Sequence, residues 1–172
     1  MAERIPDKES EAAFQVDHNA FFEDTYRLLT IFLASQPIAS LDLGDLSRHP
    51  NRPINKWALF GVREVANLLL RLAATIRAKD DDGTWLTRPN AVVGELINDL
   101  EQKSIVVGLT IREACNKVLH SKRVHLDVDR HETTGAEYIN PIVFLYGEHG
   151  KRRWRASLDI VAFCSEAQNI IC

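Results

Sequence analysis

Residues 111–120 carry three polar side chains at steps of four, namely Arg112, Asn116 and His120. In a helix that turns by about 100° per residue, these three form one strip, because side chains four apart lie over one another. The apolar residues of the same segment fall on the adjacent side of the helix: Ile111, Ala114, Cys115, Val118 and Leu119. An arginine, a carboxamide and an imidazole arranged in this way could converge on one phosphate. Three interpretations stay open: a purely structural strip, a nuclease site, and a non-catalytic contact with a ligand or RNA.

A second constellation alternates along residues 125–131, where the sequence has His125, Asp127, Asp129 and His131. An extended strand would place all four on one face, and mixed imidazole and carboxylate ligands suit zinc, manganese or iron. Same-face residues lie about 6.5–7 Å apart along a strand, which is wide for one ion held at about 2 Å. A solvated strand face has the same pattern. We therefore predict no metal site and no cofactor, and a metal-dependent hydrolase is the weakest alternative.

The densest basic cluster covers residues 151–155, with Trp154 among lysine and arginines. Such a cluster could contact a phosphate backbone and stack a base. In a strand, however, Trp154 would point to the opposite side from Arg153 and Arg155. This favours a tryptophan that packs in the core and arginines that contact solvent or the phosphates of RNA. Arg153 and Arg155 are predicted substrate-binding residues on this basis.

The elements that must position these groups follow from periodicity. The pattern predicts four helices before the first strand. The first covers about 11–35 and the second about 57–79. The third follows Pro89-Asn90 and includes Leu96, Ile97 and Leu100, and the fourth covers about 109–120. Four-and-three spacing of apolar residues is clearest in the second helix. A proline-punctuated loop is predicted over 36–55, a half-buried strand over 124–129, and a hairpin over about 139–158 in which Pro141 requires an edge or a bulge. A closing amphipathic helix is predicted from Ile160.

Composition excludes several classes of protein. The chain has 172 residues, 45% of them hydrophobic and 26% charged, which is typical of one globular domain and not of a disordered or collagen-like chain. A net charge of −3 gives no general attraction to nucleic acid, so such binding needs a local patch. Three cysteines without CxxC spacing fit a reduced compartment. The N-terminus lacks an apolar signal segment and no stretch is apolar for the length of a membrane span, so we expect a cytoplasmic protein that does not bind membranes.

The segment 111–120, Ile-Arg-Glu-Ala-Cys-Asn-Lys-Val-Leu-His, resembles the signature helix of HEPN domains. These are helical bundles of toxin–antitoxin, abortive-infection and other defence systems, whose motif is an arginine, four to six residues and a histidine, often with asparagine after the arginine. Asn116 and His120 match the motif. Cys115 stands where the family has arginine, and Arg112 lies one residue outside the usual spacing.

The resemblance implies metal-independent RNA cleavage at a site built across a homodimer. His120 would act on the ribose 2′-hydroxyl, Arg112 would stabilise charge on the phosphate, and Asn116 would orient the substrate. If the second and fourth helices pack together as the resemblance implies, Arg63 and Glu64 would line the same groove, and we predict these two and Lys117 as substrate-binding residues. A salt-bridged or solvated face is the alternative for the second helix.

Together these observations predict a mainly α protein: a HEPN-like bundle of four or five helices, a small C-terminal antiparallel β-sheet and a closing helix. Residues 1–10 are predicted to be a flexible tail and 11–172 a single domain. The expected function is an RNA-directed defence or toxin module with metal-independent endoribonuclease activity. The alternative is a catalytically inactive module that binds a cognate protein or forms oligomers, since a thiol at Cys115 cannot replace a guanidinium charge.

Overall fold

The computed structural model describes residues 17–41, 57–81, 90–102 and 105–169. The predicted tail over 1–10 and most of the predicted loop over 36–55 lie outside these ranges. The helices are α1 (His18–Ser40), α2 (Trp57–Asp81), α3 (Ile111–Leu119) and α4 (Ile160–Asn169), with a 3-10 turn at Leu100–Gln102. The strands are β1 (Val92–Ile97), β2 (Val107–Thr110), β3 (Arg123–Arg130), β4 (Glu137–His149) and β5 (Arg152–Asp159).

All five strands form one antiparallel sheet in the order β2-β1-β5-β4-β3. The prediction of a mainly α bundle with a small C-terminal sheet is therefore wrong. The sheet is a sizeable part of the fold and not a small C-terminal addition, because it also includes β1 and β2 from the middle of the chain. The last strand, β5, lies at its centre, where it pairs with both β1 and β4.

The predicted third helix is instead β1. Its apolar residues include Leu96 and Ile97, which point to opposite sides of a strand and are both buried, at 4% and 7% exposure. Adjacent buried residues in so short an element break the alternation of a strand, and periodicity alone does not then distinguish the strand from a helix. Gly94 permits the close approach of β5, because a Cβ there would overlap the carbonyl oxygen of Ser157.

The first helix runs farther than predicted and includes Pro37 in its last turns. It begins at Asp17, whose carboxylate accepts a hydrogen bond from the Ala20 amide at 3.1 Å. The helix tolerates the missing amide of Pro37 because contacts with β4 and with the turn before it stabilise the C-terminal end of the helix. The Ser35 hydroxyl accepts a hydrogen bond from the Ile139 amide at 2.8 Å. The Thr134 hydroxyl, in the turn between β3 and β4, donates to the Ala39 carbonyl at 2.6 Å.

The Ser35 contact lies at an irregularity of the sheet. Leu126 pairs with Val143, but two residues farther Val128 pairs with Ile139, so β4 carries extra residues around Pro141. The bulge predicted from Pro141 is therefore present, although β4 is an interior strand. The hydroxyl of Ser35 supplies the acceptor that the neighbouring strand does not offer at this position.

The helices pack on one face of the sheet. Val143, Leu145, Trp154, Ala156 and Leu158 alternate along β4 and β5 and belong to the same buried core as residues of all four helices. Burying such side chains stabilises the fold by about 1.5–3 kcal/mol each. The residues between them, such as Phe144, point to the other face, and they are half-buried or exposed. We call this second face, on the strands β3, β4 and β5, the open face.

None of the helices within the described ranges combines the length and apolarity that a membrane crossing requires.

Candidate nucleic-acid interface

The helix predicted over about 109–120 is present as α3, which begins at Ile111, and its predicted apolar side is buried except for Leu119, which is 37% exposed. Thr110 caps it by accepting a hydrogen bond from the Glu113 amide at 3.3 Å. Ile111, Ala114, Cys115 and Val118 are buried, and the remaining side chains form the exposed or half-buried surface. Burial raises the pKa of the Cys115 thiol to about 12, so the residue at the arginine position of the HEPN-like motif is an uncharged core group.

Arg112 is directed at the second helix. Its guanidinium lies 2.9 Å from the Asp80 carboxylate, and Arg77 lies 2.9 Å from the same oxygen. The Asp80 side chain is only 8% exposed, whereas that of Arg112 is 48% exposed. The charge of Arg112 is therefore already balanced by a carboxylate that anchors α3 to α2.

Asn116 and Lys117 are both engaged by Glu113, one turn earlier on the same helix. The Asn116 amide donates to the Glu113 carboxylate at 3.3 Å, and the Lys117 ammonium lies 3.1 Å from it. Lys117 also lies 4.6 Å from the centroid of a Trp154 ring. Trp154 is 3% exposed and packs under α3, as the packing interpretation of this residue predicts.

His120 is the C-terminal cap of α3 and is exposed. Its backbone amide donates to the Asn116 carbonyl at 3.0 Å, and its own carbonyl lies close to Gly147 of β4. Three groups predicted to converge on a phosphate thus have three different surroundings: Arg112 contacts α2, Asn116 contacts Glu113, and His120 faces solvent.

Arg63 and Glu64 are exposed on the N-terminal half of α2. The contact of α2 with Arg112 is made at Asp80, about 24 Å farther along the helix axis at 1.5 Å per residue. On the intervening stretch, Arg71 forms a bidentate pair with Asp24 of α1, with both distances 2.7 Å. Arg63 and Glu64 therefore lie far along α2 from the position that contacts Arg112.

The alternating residues of β3 do not form a cluster. Asp127 accepts a hydrogen bond from the Asn140 amide at 3.1 Å, Asp129 contacts the Tyr138 hydroxyl at 3.5 Å, and a His131 ring nitrogen lies 3.3 Å from the Thr134 hydroxyl. Within the part of the chain that the structure describes, no group of three histidine, cysteine or acidic side chains could hold a metal ion.

A different set of residues comes together on the open face. The register of β3, β4 and β5 places Tyr146 between Arg123 and Arg155, and Phe144 between His125 and Ser157. Arg153 follows on the same side of β5, opposite Glu148. We call Arg123, His125, Phe144, Tyr146, Arg153 and Arg155 the aromatic–basic patch.

The aromatic rings of this patch contact its cations. The Arg155 guanidinium carbon lies 5.7 Å from the Phe144 ring centroid, and that of Arg123 lies 5.6 Å from the Tyr146 centroid. The His125 ring stacks beside Phe144 at 6.4 Å between centroids. The Arg155 Nε is buried and has no hydrogen-bond acceptor among the described residues. The arginines thus lie against ring faces and not against carboxylates.

One carboxylate adjoins the patch at its Tyr146 end. Glu148 accepts a hydrogen bond from the Lys122 ammonium at 2.6 Å. Lys122, followed by Arg153 and Arg123, holds the pKa of Glu148 below its usual range. A single acid is therefore surrounded by several cations, and this end of the sheet is positively charged although the chain as a whole is negative.

Arg153 and Arg155 were predicted as substrate-binding residues, but Arg123, Phe144 and Tyr146 were not, and His125 was considered only as a metal ligand. A signal for them exists in the sequence. Once residues 139–158 are folded as a hairpin around Gly147–Gly150, alternation places Phe144 and Tyr146 on the side that carries Arg153 and Arg155.

No protein-family model matches the chain, and neither the curated proteins nor the solved structures include a significant match to the chain.

Proposed function

We propose that this protein binds single-stranded nucleic acid, with RNA as the ligand expected from the sequence, through the aromatic–basic patch. The observation that carries the proposal is the contact of Arg123 with Tyr146 and of Arg155 with Phe144 on an open sheet face. Phosphates are attracted by the guanidinium groups, and bases can stack on aromatic and guanidinium planes. A duplex hides its base faces and offers only its backbone to such a surface.

The proposal is for binding and not for cleavage at α3. Stabilising a cleaved phosphate requires a cation beside the acid or base, and the Arg112 guanidinium is paired with Asp80. Cleavage by His120 stays a prediction of the sequence, and incubation of RNA with the wild-type protein and His120→Ala in excess chelator tests it separately.

The binding test is fluorescence anisotropy with labelled RNA and DNA strands of about 12 nucleotides, and with the matching duplexes. We expect single strands to bind more tightly than duplexes and the affinity to fall as salt is raised from about 50 to 200 mM. Arg123→Gln combined with Arg155→Gln should abolish most of the binding.

Arg27→Gln is the matched control for Arg123→Gln and Arg155→Gln made singly, because it removes one positive charge from an exposed arginine of α1, on the helix-covered side. Equal losses in Arg27→Gln and in the double variant would contradict the proposal, as would the absence of binding by the folded wild-type protein. A difference in affinity between the RNA and DNA strands would show whether the surface prefers ribose or deoxyribose.

A further inference from the structure

Phe144 and Tyr146 lie two residues apart on β4 and point to the same side of the sheet. Side chains at this separation are about 6.5–7 Å apart along a strand. Both residues are half-buried on the open face, where the Tyr146 ring contacts Arg123 and the Phe144 ring contacts Arg155. The strand therefore presents two aromatic rings at a fixed distance.

Each ring has its own set of neighbours. Phe144 lies beside His125 and Arg155, whereas Tyr146 lies beside Arg123. Because β3 and β5 are hydrogen-bonded to β4 on both sides, these neighbours are held by the ladder and not by flexible loops. The patch is accordingly a repeat of two units, each with one ring and at least one cation.

The distance between the rings differs from that between stacked bases. Consecutive bases in a helical strand rise by about 3.4 Å, which is about half of the ring separation. Two neighbouring bases that remain stacked on each other cannot each lie on one of these rings. Bases that have been separated can do so, and splayed, unstacked bases are what aromatic side chains accept in single-stranded RNA.

We infer that the patch binds two consecutive nucleotides whose bases are unstacked from each other, one base on Phe144 and one on Tyr146, with the connecting phosphates near Arg123 and Arg155. This inference rests on the proposed function. Its consequence is a preference among single strands of equal charge: weakly stacking uridine or thymidine runs bind more tightly than adenosine runs, because adenines must first be unstacked.

The test compares uridine, adenosine and abasic strands of one length at one salt concentration, so that the phosphate contribution is the same for all three. We expect affinity to fall from uridine to adenosine to abasic. Phe144→Ala and Tyr146→Ala should each weaken uridine binding by about 5- to 100-fold, which corresponds to the usual contribution of one stacked base. Neither variant should change abasic binding.

Two control variants make the result specific. Tyr146→Phe keeps the ring and should retain the affinity, and Phe22→Ala removes an exposed ring of α1 and should have no effect. Adenosine binding as tight as uridine binding, or ring variants that bind uridine like the wild type, would overturn the inference while the salt-dependent binding of the proposed function stood. If none of the strands bound, the proposed function itself would fail.

Discussion

The two sides of the sheet use the same residue types differently. On the helix-covered side, Arg112 contacts Asp80, which it shares with Arg77, and Lys117 contacts Glu113. On the open face, Arg123 and Arg155 meet aromatic rings. A guanidinium against a ring keeps its full charge for a ligand, whereas one that is paired with a carboxylate must first lose that partner. The comparison shows that the surroundings of polar side chains, and not their spacing alone, distinguish a binding surface from a structural contact.

The largest difference in stability between the two sides of the sheet is expected when two neighbouring residues of β4 are each replaced by alanine. Leu145→Ala should reduce the free energy of unfolding by about 2–5 kcal/mol, because Leu145 is fully buried under the helices. Phe144→Ala, one residue away, should cost clearly less stability and act mainly on binding. Urea denaturation of both variants measures this difference, and equal losses would show that the open face is a second core.

The next effect concerns the ion pairs of the covered side. Asp80→Asn should lower the free energy of unfolding by about 1–3 kcal/mol, since it leaves Arg77 and Arg112 without their shared carboxylate in a largely buried position. Arg112→Gln should cost less than about 1 kcal/mol, because that side chain is half exposed. Thermal unfolding of the two variants checks the order, and a larger loss for Arg112→Gln would place the main support of α3 elsewhere.

The buried thiols of the covered side predict a pH dependence. Burial raises the pKa values of Cys115 and Cys164 from 9.0 to about 12 in the folded protein. Above pH 9 the unfolded chain loses these thiol protons and the folded chain keeps them. The contribution of the two thiols to the free energy of unfolding is therefore fully present below pH 9 and is lost as the pH rises from 9 to 12. Each thiol contributes about 1.4 kcal/mol per pH unit to this fall.

Urea midpoints at pH 8 and pH 10 for the wild type and for Cys115→Ala combined with Cys164→Ala measure this contribution. The double variant should start from a lower stability, because it leaves cavities, and should lose less between the two pH values. An unchanged loss would mean that neither thiol is protected from solvent.

The smallest effect sharpens the description of the open face. If Arg155 contacts one phosphate, Arg155→Gln should reduce the slope of log affinity against log salt by about 1. Arg153→Gln should act less, because Arg153 lies opposite Glu148 in the sheet. A slope that Arg155→Gln leaves unchanged would show that the guanidinium contributes only its contact with Phe144.

Part of this fold could be predicted from the sequence. The four-and-three spacing predicted for the second helix is confirmed by α2, in which Val65, Leu69, Leu72 and Ile76 are buried. The alternation around Leu126 likewise identified β3. Such elements have one buried side and therefore a clear period.

The remainder depends on contacts between distant segments. β1 has only six residues, and its buried Leu96 and Ile97 are adjacent, so that its sequence has no clear period to distinguish it from a helix. The aromatic–basic patch combines three strands, and its composition emerges only when Tyr146 is aligned with Arg123 and Arg155. The partner of Arg112 could not be inferred from a helical wheel, because Asp80 belongs to another helix.

The pairing of β1 with β5 divides the sheet into two parts that differ in how they form. β1 and β2 are near neighbours in the chain, and β3, β4 and β5 follow one another as a meander. The two groups of strands pair with each other along β1 and β5, from Gly94 opposite Leu158 to Ile97 opposite Arg155. Such a junction between distant segments closes after the local hairpins, since a long loop must be ordered first. The amides on this junction should therefore exchange through a partial opening in which β1 and β2 separate from β5, while the amides of the open face, which lies within one continuous meander, stay protected until global unfolding.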